Sequence, residues 1–394
     1  MAASTRVAQR LHARQKAILI ATYWILWPVY AWRRRPISWV VGAEEIALMV
    51  RHIASALPDS YSVIHRTHKY YTAGYDCVIE ASSGVIGKYR RLYGGAVLLG
   101  WLMHRAHGVI YVGQAGLLES GLDRRAFEFS FLKKHGLGVV CYFTGNDIRS
   151  PRLMHDLERT TGRKNLASHL EELNPVFGTD EYEQAKRDIA AAADAYADVI
   201  FNARLDQLSY LTSDTEPFMY FFPDDRFVWN EEKFDEPRQI IVVHAPSKPL
   251  LKGTEHVRAA VDRLRADGLE FDYRELTDVT NDEVIATLGD AHIVLNQFYA
   301  FIPGVFGIEA MASGCAMLAS ADARVETDLG GDANDAWVVT APDEIYSHLR
   351  NLLEHPELIR EQARRGFDWA RLHASASEDA KRMRKILERV TLPS

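Results

Sequence analysis

The stretch Asn296-Gln297-Phe298-Tyr299-Ala300-Phe301-Ile302-Pro303-Gly304-Val305-Phe306-Gly307-Ile308-Glu309-Ala310-Met311-Ala312-Ser313-Gly314, followed by the apolar run Cys315-Ala316-Met317-Leu318-Ala319, decides the fold. Upstream, residues 291–295 are a short, mostly apolar run of strand length. Gly304 and Gly307 predict a loop that bends before a helix begun by Ile308 and Glu309, and Gly314 falls where a C-cap glycine would end that helix. The order is strand, glycine loop, short helix, strand. The amino end of such a helix lies beside the loop, where free N–H groups and the positive end of the helix dipole favour an anion. A first-turn carboxylate at Glu309 can accept hydrogen bonds from ligand hydroxyls, or it can simply steady the dipole.

A second segment agrees with the first. Ile240-Ile241-Val242-Val243-His244-Ala245-Pro246-Ser247-Lys248 reads as a buried strand ending in a turn. Lys252-Gly253-Thr254 then enters a helix carrying Val257, Ala260, Val261 and Leu264 at helical spacing, with Thr254 as the expected N-cap. Lys252 is either a solvated lysine at a helix start or a cation held between strand and helix for a bound anion.

At 394 residues the chain exceeds the size at which a single core stops growing, so two domains are expected. Hydrophobic residues at 47% and charged residues at 25% exclude disorder as the default. A formal net charge of −7 gives no reason to expect a nucleic-acid partner. Cys77, Cys141 and Cys315 sit inside apolar runs without ligand-like spacing, as buried reduced thiols would.

Residues 1–36 differ from everything that follows. Arg6, Arg10 and Arg14 recur along one helical face beside Val7, Leu11 and Ile18. Residues 17–32 carry no charge, hold Tyr23, Trp24, Trp27, Tyr30 and Trp32, and are closed by Arg33, Arg34 and Arg35. As a helix they would reach about 24 Å, short of the roughly 30 Å hydrocarbon core, and Pro28 predicts a kink. Aromatics between basic flanks suit a segment lying in the headgroup region of an anionic membrane, which predicts a peripheral or monotopic protein on the cytoplasmic side of the cell membrane. The other reading is an amino-terminal helix docked on the domain.

Residues 37–222 alternate short apolar runs with helical stretches, beginning with a strand at residues 37–41 that turns at Gly42, and parallel βαβ units are the economical reading. The run at 139–143 breaks into Thr144-Gly145-Asn146-Asp147-Ile148-Arg149, and polar residues at the carboxyl end of a parallel strand face a ligand crevice. Residues 223–238 are the expected linker, 239–375 a second Rossmann-like domain, and 376–394 a terminal helical segment.

Glu309-Ala310-Met311-Ala312-Ser313-Gly314 ahead of a buried strand, together with Lys252-Gly253, resembles the donor-site signature of the GT-B glycosyltransferases, particularly the large retaining family 4. The resemblance covers about residues 37–390, more specifically in the second half. It implies an α/β fold of two Rossmann-like domains whose final helix crosses back onto the first. It implies a glycosyltransferase moving a sugar from a nucleotide-sugar with retention, and the membrane reading of residues 1–36 adds the expectation of a lipid-linked or cell-envelope glycan acceptor. Glu309 would bind the ribose, Gly304 and Gly307 would face the diphosphate, and Lys252, joined by Lys248, would neutralise the leaving diphosphate. Gly42 of the loop after the first strand approaches the reacting centre in this family, with Glu44 and Glu45 beside it on the acceptor side. Asp147 stands at an acid position lining the sugar and acceptor, or caps the next turn, and Arg149 is a phosphate candidate. Asp-X-Asp pairs of the metal-using transferases do not follow a strand here, so neither a metal nor a cofactor is expected beyond the nucleotide-sugar.

Two positions depart from the family pattern: Thr144 stands where relatives carry His, and Phe301 replaces the acid eight residues before Glu309. Some relatives lacking that acid end the strand in Asp-Gln, to which Asn296-Gln297 is similar. Phe301 then either lines the donor sugar, with Gln297 supplying discrimination, or packs under the loop. The departures keep open a non-catalytic nucleotide-sugar-binding or scaffold subunit of a membrane glycan assembly complex, and a GT-B-type sugar-nucleotide epimerase.

Overall fold

Short apolar strands alternating with helices can bury both faces of a sheet only if the strands run parallel, with helices packed on each side. The computed structural model, which describes residues 2–67, 74–80, 83–118, 122–235 and 239–390 with side chains from Arg6 onward, shows two such sheets. The first holds β1 (Ile37–Ala43), β2 (Tyr61–Ile64), β3 (Cys77–Val78), β4 (Ala106–Val112), β5 (Gly138–Tyr142) and β6 (Val199–Phe201), all parallel, in the order β3-β2-β1-β4-β5-β6. Its helices are α1 (Ala2–Tyr30), α2 (Met49–Ala56), α3 (Gly84–Leu102), α4 (Ala126–Lys134), α5 (Pro151–Thr161), α6 (Leu170–Leu173) and α7 (Asp180–Tyr196).

The second sheet orders β7 (Ile241–His244), β8 (Asp272–Glu275), β9 (Ile293–Leu295), β10 (Ala316–Ala319) and β11 (Val338–Val339) as β11-β10-β9-β7-β8, again parallel. It is wrapped by α8 (Pro249–Lys252), α9 (Thr254–Ala266), α10 (Asn281–Asp290), α11 (Gly304–Ala312), α12 (Ala333–Ala336), α13 (Ile345–Glu354) and α14 (Pro356–His373), followed by α15 (Ala376–Leu387), which packs on the first domain. Sequence periodicity does not announce β8: Asp-Tyr-Arg-Glu is a half-buried edge strand held by its ladder with β7. From α15, Met383 and Leu387, with Val390 just beyond, join the core of the first sheet with Val41, Val50 and Ile53. Asp379 of α15 accepts the backbone N–H groups of Tyr220 and Phe221 at 2.9 and 2.8 Å, fixing the crossing point between the domains.

One local expectation is corrected. Gly42 does not begin a turn; β1 runs on to Ala43, and Gly42 is needed because a Cβ there would stand 2.4 Å from the carbonyl oxygen of Val63 on the neighbouring strand. The helix α1 runs on through Pro28 to Tyr30. Its inner face belongs to the domain: Gln15, Leu19 and Tyr23 are buried, and Tyr23 stacks on His104 at 4.5 Å. Among the described residues no helix is long and apolar enough to cross a membrane.

The carboxyl ends of the two sheets face one another, and the domains are joined there by buried polar contacts. Asp206 receives Arg149 at 2.6 Å and, across the gap, the backbone N–H of Phe301 at 2.7 Å. Glu326 returns the contact by accepting the N–H groups of Leu205 and Asp206 at 2.8 and 2.7 Å. Beside them an apolar plug gathers Met154, Ala167 and Leu170 from the first domain and Leu251 and Phe301 from the second.

Burial, reinforced by the nearby Asp206, raises the Glu326 carboxyl to about 7. The folded state then holds a proton that the unfolded chain releases near pH 4.5, so this group's contribution to stability falls as pH rises from about 4.5 to 7. Glu326→Gln keeps an acceptor oxygen and should remove that slope, worth roughly 2–3 kcal/mol across the window, in denaturant titrations at pH 5 and 7.5. Phe301→Ala should cost about 3 kcal/mol through the cavity left in the plug. An unchanged unfolding midpoint would show that the plug is not packed in solution.

Candidate functional site

The site grows from the ends of β7 and β9. His244, the last residue of β7, is wholly buried: one ring nitrogen donates to the Leu295 carbonyl at 2.6 Å and the other accepts from the Thr254 hydroxyl at 2.9 Å. Burial lowers it to about 4, so the ring is neutral and can fill both roles at once. Thr254 therefore braces His244 instead of capping α9, and the N-cap is Gly253 in the left-handed region with φ 72°. Sequence reasoning passed over His244, although an isolated His closing an apolar strand run is the available signal. The pair fixes where Lys252, the last residue of α8, is held.

The end of β9 anchors the loop that follows it. The Asn296 amide donates to the Pro303 carbonyl at 2.7 Å, and the Gln297 amide donates to Ile302 at 2.8 Å. The free oxygen of Gln297 accepts Lys252 Nζ at 2.5 Å. Lys252 is thereby carried to the loop that opens α11, and burial lowers its ammonium to about 8. Lys248 is exposed on the same β7–α8 connection.

The glycine loop differs from expectation. Helix α11 already begins at Gly304, whose φ is 68°, so Gly307 lies within it and Glu309 comes in its second turn. Gly307 serves close packing: a Cβ would meet the Asn296 amide at 2.7 Å and Pro303 at 2.9 Å. The helix ends as predicted, with Gly314 N–H on Met311 and Cys315 N–H on Ala310.

Glu309 is buried and accepts the Asn281 amide at 2.8 Å. Burial raises its carboxyl, opposed by that bond and by the charges of Arg226 and Lys252. A small space of about 20 Å³ separates it from Leu48, His52 and Tyr220 of the first domain. Through Arg226 and Asn281 this neck adjoins a cavity of about 1010 Å³ between α2, the crossing segment and α15, which carries Arg51, Arg226, Lys381 and Arg384.

On the facing domain, Glu44 lies half-buried beside Gly113 at the end of β4. Glu45 turns inward, accepting N–H groups of Val50 and Arg51 and the Tyr75 hydroxyl, so it supports the start of α2. Asp147 accepts the backbone N–H and hydroxyl of Thr144, both at 2.8 Å, which caps its own turn. Burial raises its carboxyl to about 6. Lys186, also missed in the sequence, donates to the carbonyls of Asn146 and Asp147 at 2.6 and 2.9 Å. Arg149 is committed to Asp206 and Asn146, and the Phe301 ring to the plug between the domains. Neither lines the space at Glu309.

No protein-family model matches the chain, and no curated protein is similar to it in sequence. Solved structures are similar over almost its whole length. Sucrose-phosphate synthase from Thermosynechococcus elongatus superposes with a TM-score of 0.57 at 14% identity, covering 91% of this chain and 99% of that one. Anabaena HepE, solved in complex with UDP-glucose, gives 0.53 at 10% identity, covering 89% and 99%. A glycosyltransferase from Rickettsia africae gives 0.50 at 11%, covering 90% and 99%. With its two parallel sheets facing across a crevice, the chain has the GT-B fold of these glycosyltransferases.

Proposed function

We propose that the protein is a glycosyltransferase that moves a sugar from a nucleotide-sugar, with retention, to a lipid-linked or cell-envelope glycan acceptor at the cytoplasmic face of a membrane. The observation that carries this reading is Glu309, a buried carboxylate on α11 aimed at the space between the domains, with Lys252 brought to the same loop by Gln297. HepE, which shares the fold, was solved with UDP-glucose.

In this reading the ribose hydroxyls donate to the Glu309 oxygen that Asn281 leaves free. The diphosphate lies at the amino end of α11, where the first-turn N–H groups, that of Gly304 now resting on the Tyr220 hydroxyl at 3.3 Å, and the dipole meet the Lys252 ammonium. The chemical step needs chiefly stabilisation of charge developing on the departing diphosphate and alignment of the incoming acceptor oxygen. Lys252 and α11 supply the first. The crevice wall near Glu44 and the Thr144–Asp147 turn supplies the second. The base extends past Asn281 into the large cavity beside Arg226. Retention rests on the resemblance in sequence, and the membrane and the lipid-linked acceptor on residues 1–36.

Glu309→Ala and Lys252→Ala should each weaken nucleotide-sugar binding by tenfold or more, the loss of a charge-assisted contact of about 2–3 kcal/mol, without lowering the melting temperature appreciably. Calorimetric titration with UDP-, GDP- and ADP-sugars decides it; affinities within twofold of the parent in both variants would refute the donor site. Because Lys252 titrates near 8 in the free protein, its cation is present below that pH and lost above it. Nucleoside diphosphate affinity should therefore hold between pH 6.5 and 7.5 and fall by up to about tenfold per pH unit above 8, with proton uptake on binding. The same titration of Lys252→Arg should be flat over this range.

A further inference from the structure

Helices α1 and α3 run side by side in the same direction. Gln15 donates to the Leu92 carbonyl at 2.6 Å, Gly100 lies against Leu19 and Thr22, and Trp101 donates to the Tyr30 hydroxyl at 3.4 Å. Their inner faces are buried, and their outer faces are apolar where a surface helix should be polar. On α1, Ile25 is 72% exposed and Trp24 and Trp27 about half exposed, with Trp32 just beyond at 94%. On α3, Val85 is 73%, Ile86 71% and Tyr89 62% exposed, with Val97 further along. The charge is one-sided too: residues 1–36 hold seven Lys and Arg and α3 three more, with no Asp or Glu in either, in a chain of net charge −7. Because α3 follows β3 in a parallel sheet, its first two turns, with Val85, Ile86 and Tyr89, stand at the carboxyl edge of the strands, on the rim of the crevice.

We infer that α1 and α3 together form one docking face for an anionic lipid bilayer, with the first two turns of α3 seated in the headgroup region at the rim of the crevice. Exposed aromatic and aliphatic side chains supply apolar burial, and the exposed Arg and Lys residues, apart from Lys16, which pairs with Asp123 at 3.2 Å, meet anionic headgroups. The face lies on the membrane rather than crossing it, since no described helix is long and apolar enough to span. Seating the rim at the bilayer lets an acceptor keep its lipid tail in the membrane while its polar head reaches the crevice. This last step rests on the transferase reading; the docking face itself does not.

Flotation of the full-length protein with vesicles of phosphatidylcholine, alone or mixed equally with phosphatidylglycerol, tests the inference. The parent should float with the anionic vesicles and be released by high salt. Ile86→Asp with Tyr89→Asp, and separately Trp24→Ser with Trp27→Ser, should each lower the bound fraction about tenfold while nucleotide-sugar calorimetry stays unchanged. Flotation unaffected by the α3 pair, equal binding to neutral vesicles, or a parent dimer that the same variants dissociate would each overturn it. Flotation without any nucleotide-sugar binding would refute the transferase reading and leave the docking face standing.

Discussion

The buried carboxylate of Asp206 is the contact on which the arrangement of the two domains turns. It is charged where water is scarce, so it must be paired, and Arg149 provides the pairing from within the first domain. Its other oxygen receives the N–H of Phe301 from the second domain. A backbone group in an irregular loop also needs a partner once buried, so each side satisfies a requirement of the other. Removing either would leave an unpaired polar group inside the interface, a larger loss than the bond itself.

From that contact the geometry propagates along the loop to α11. Phe301 is held at one end, and the amides of Asn296 and Gln297 hold Ile302 and Pro303 at the other. The start of α11 cannot move independently of this loop, and neither can Lys252, whose ammonium is bonded to Gln297. His244 acts in the same way from the far side, joining the ends of β7 and β9 to the start of α9. These residues position Lys252 and Glu309.

The facing domain shows the opposite economy. Several polar residues that look free in the sequence are consumed by structure: Glu45 supports α2, Asp147 closes its own turn, and Arg149 belongs to Asp206. Polar side chains at the carboxyl ends of parallel strands must satisfy the irregular backbone there before they can serve a ligand. Glu44 is the expected acceptor-side residue that remains half-exposed.

By itself the sequence determined the two α/β domains, most of the strands, and the candidacy of Glu309 and Lys252. Strands buried on both faces leave continuous apolar runs, and the glycine, lysine and acid spacings survive as local signals. It did not disclose β8, whose polar residues are a strand only because β7 offers a ladder to pair with. Nor could it show that Gly307 is a packing glycine, that Thr254 braces His244, or that Phe301 fills the plug between domains. Those roles depend on groups far away in the chain. Spacing reports periodicity within one element, whereas what a side chain touches is decided when the elements pack.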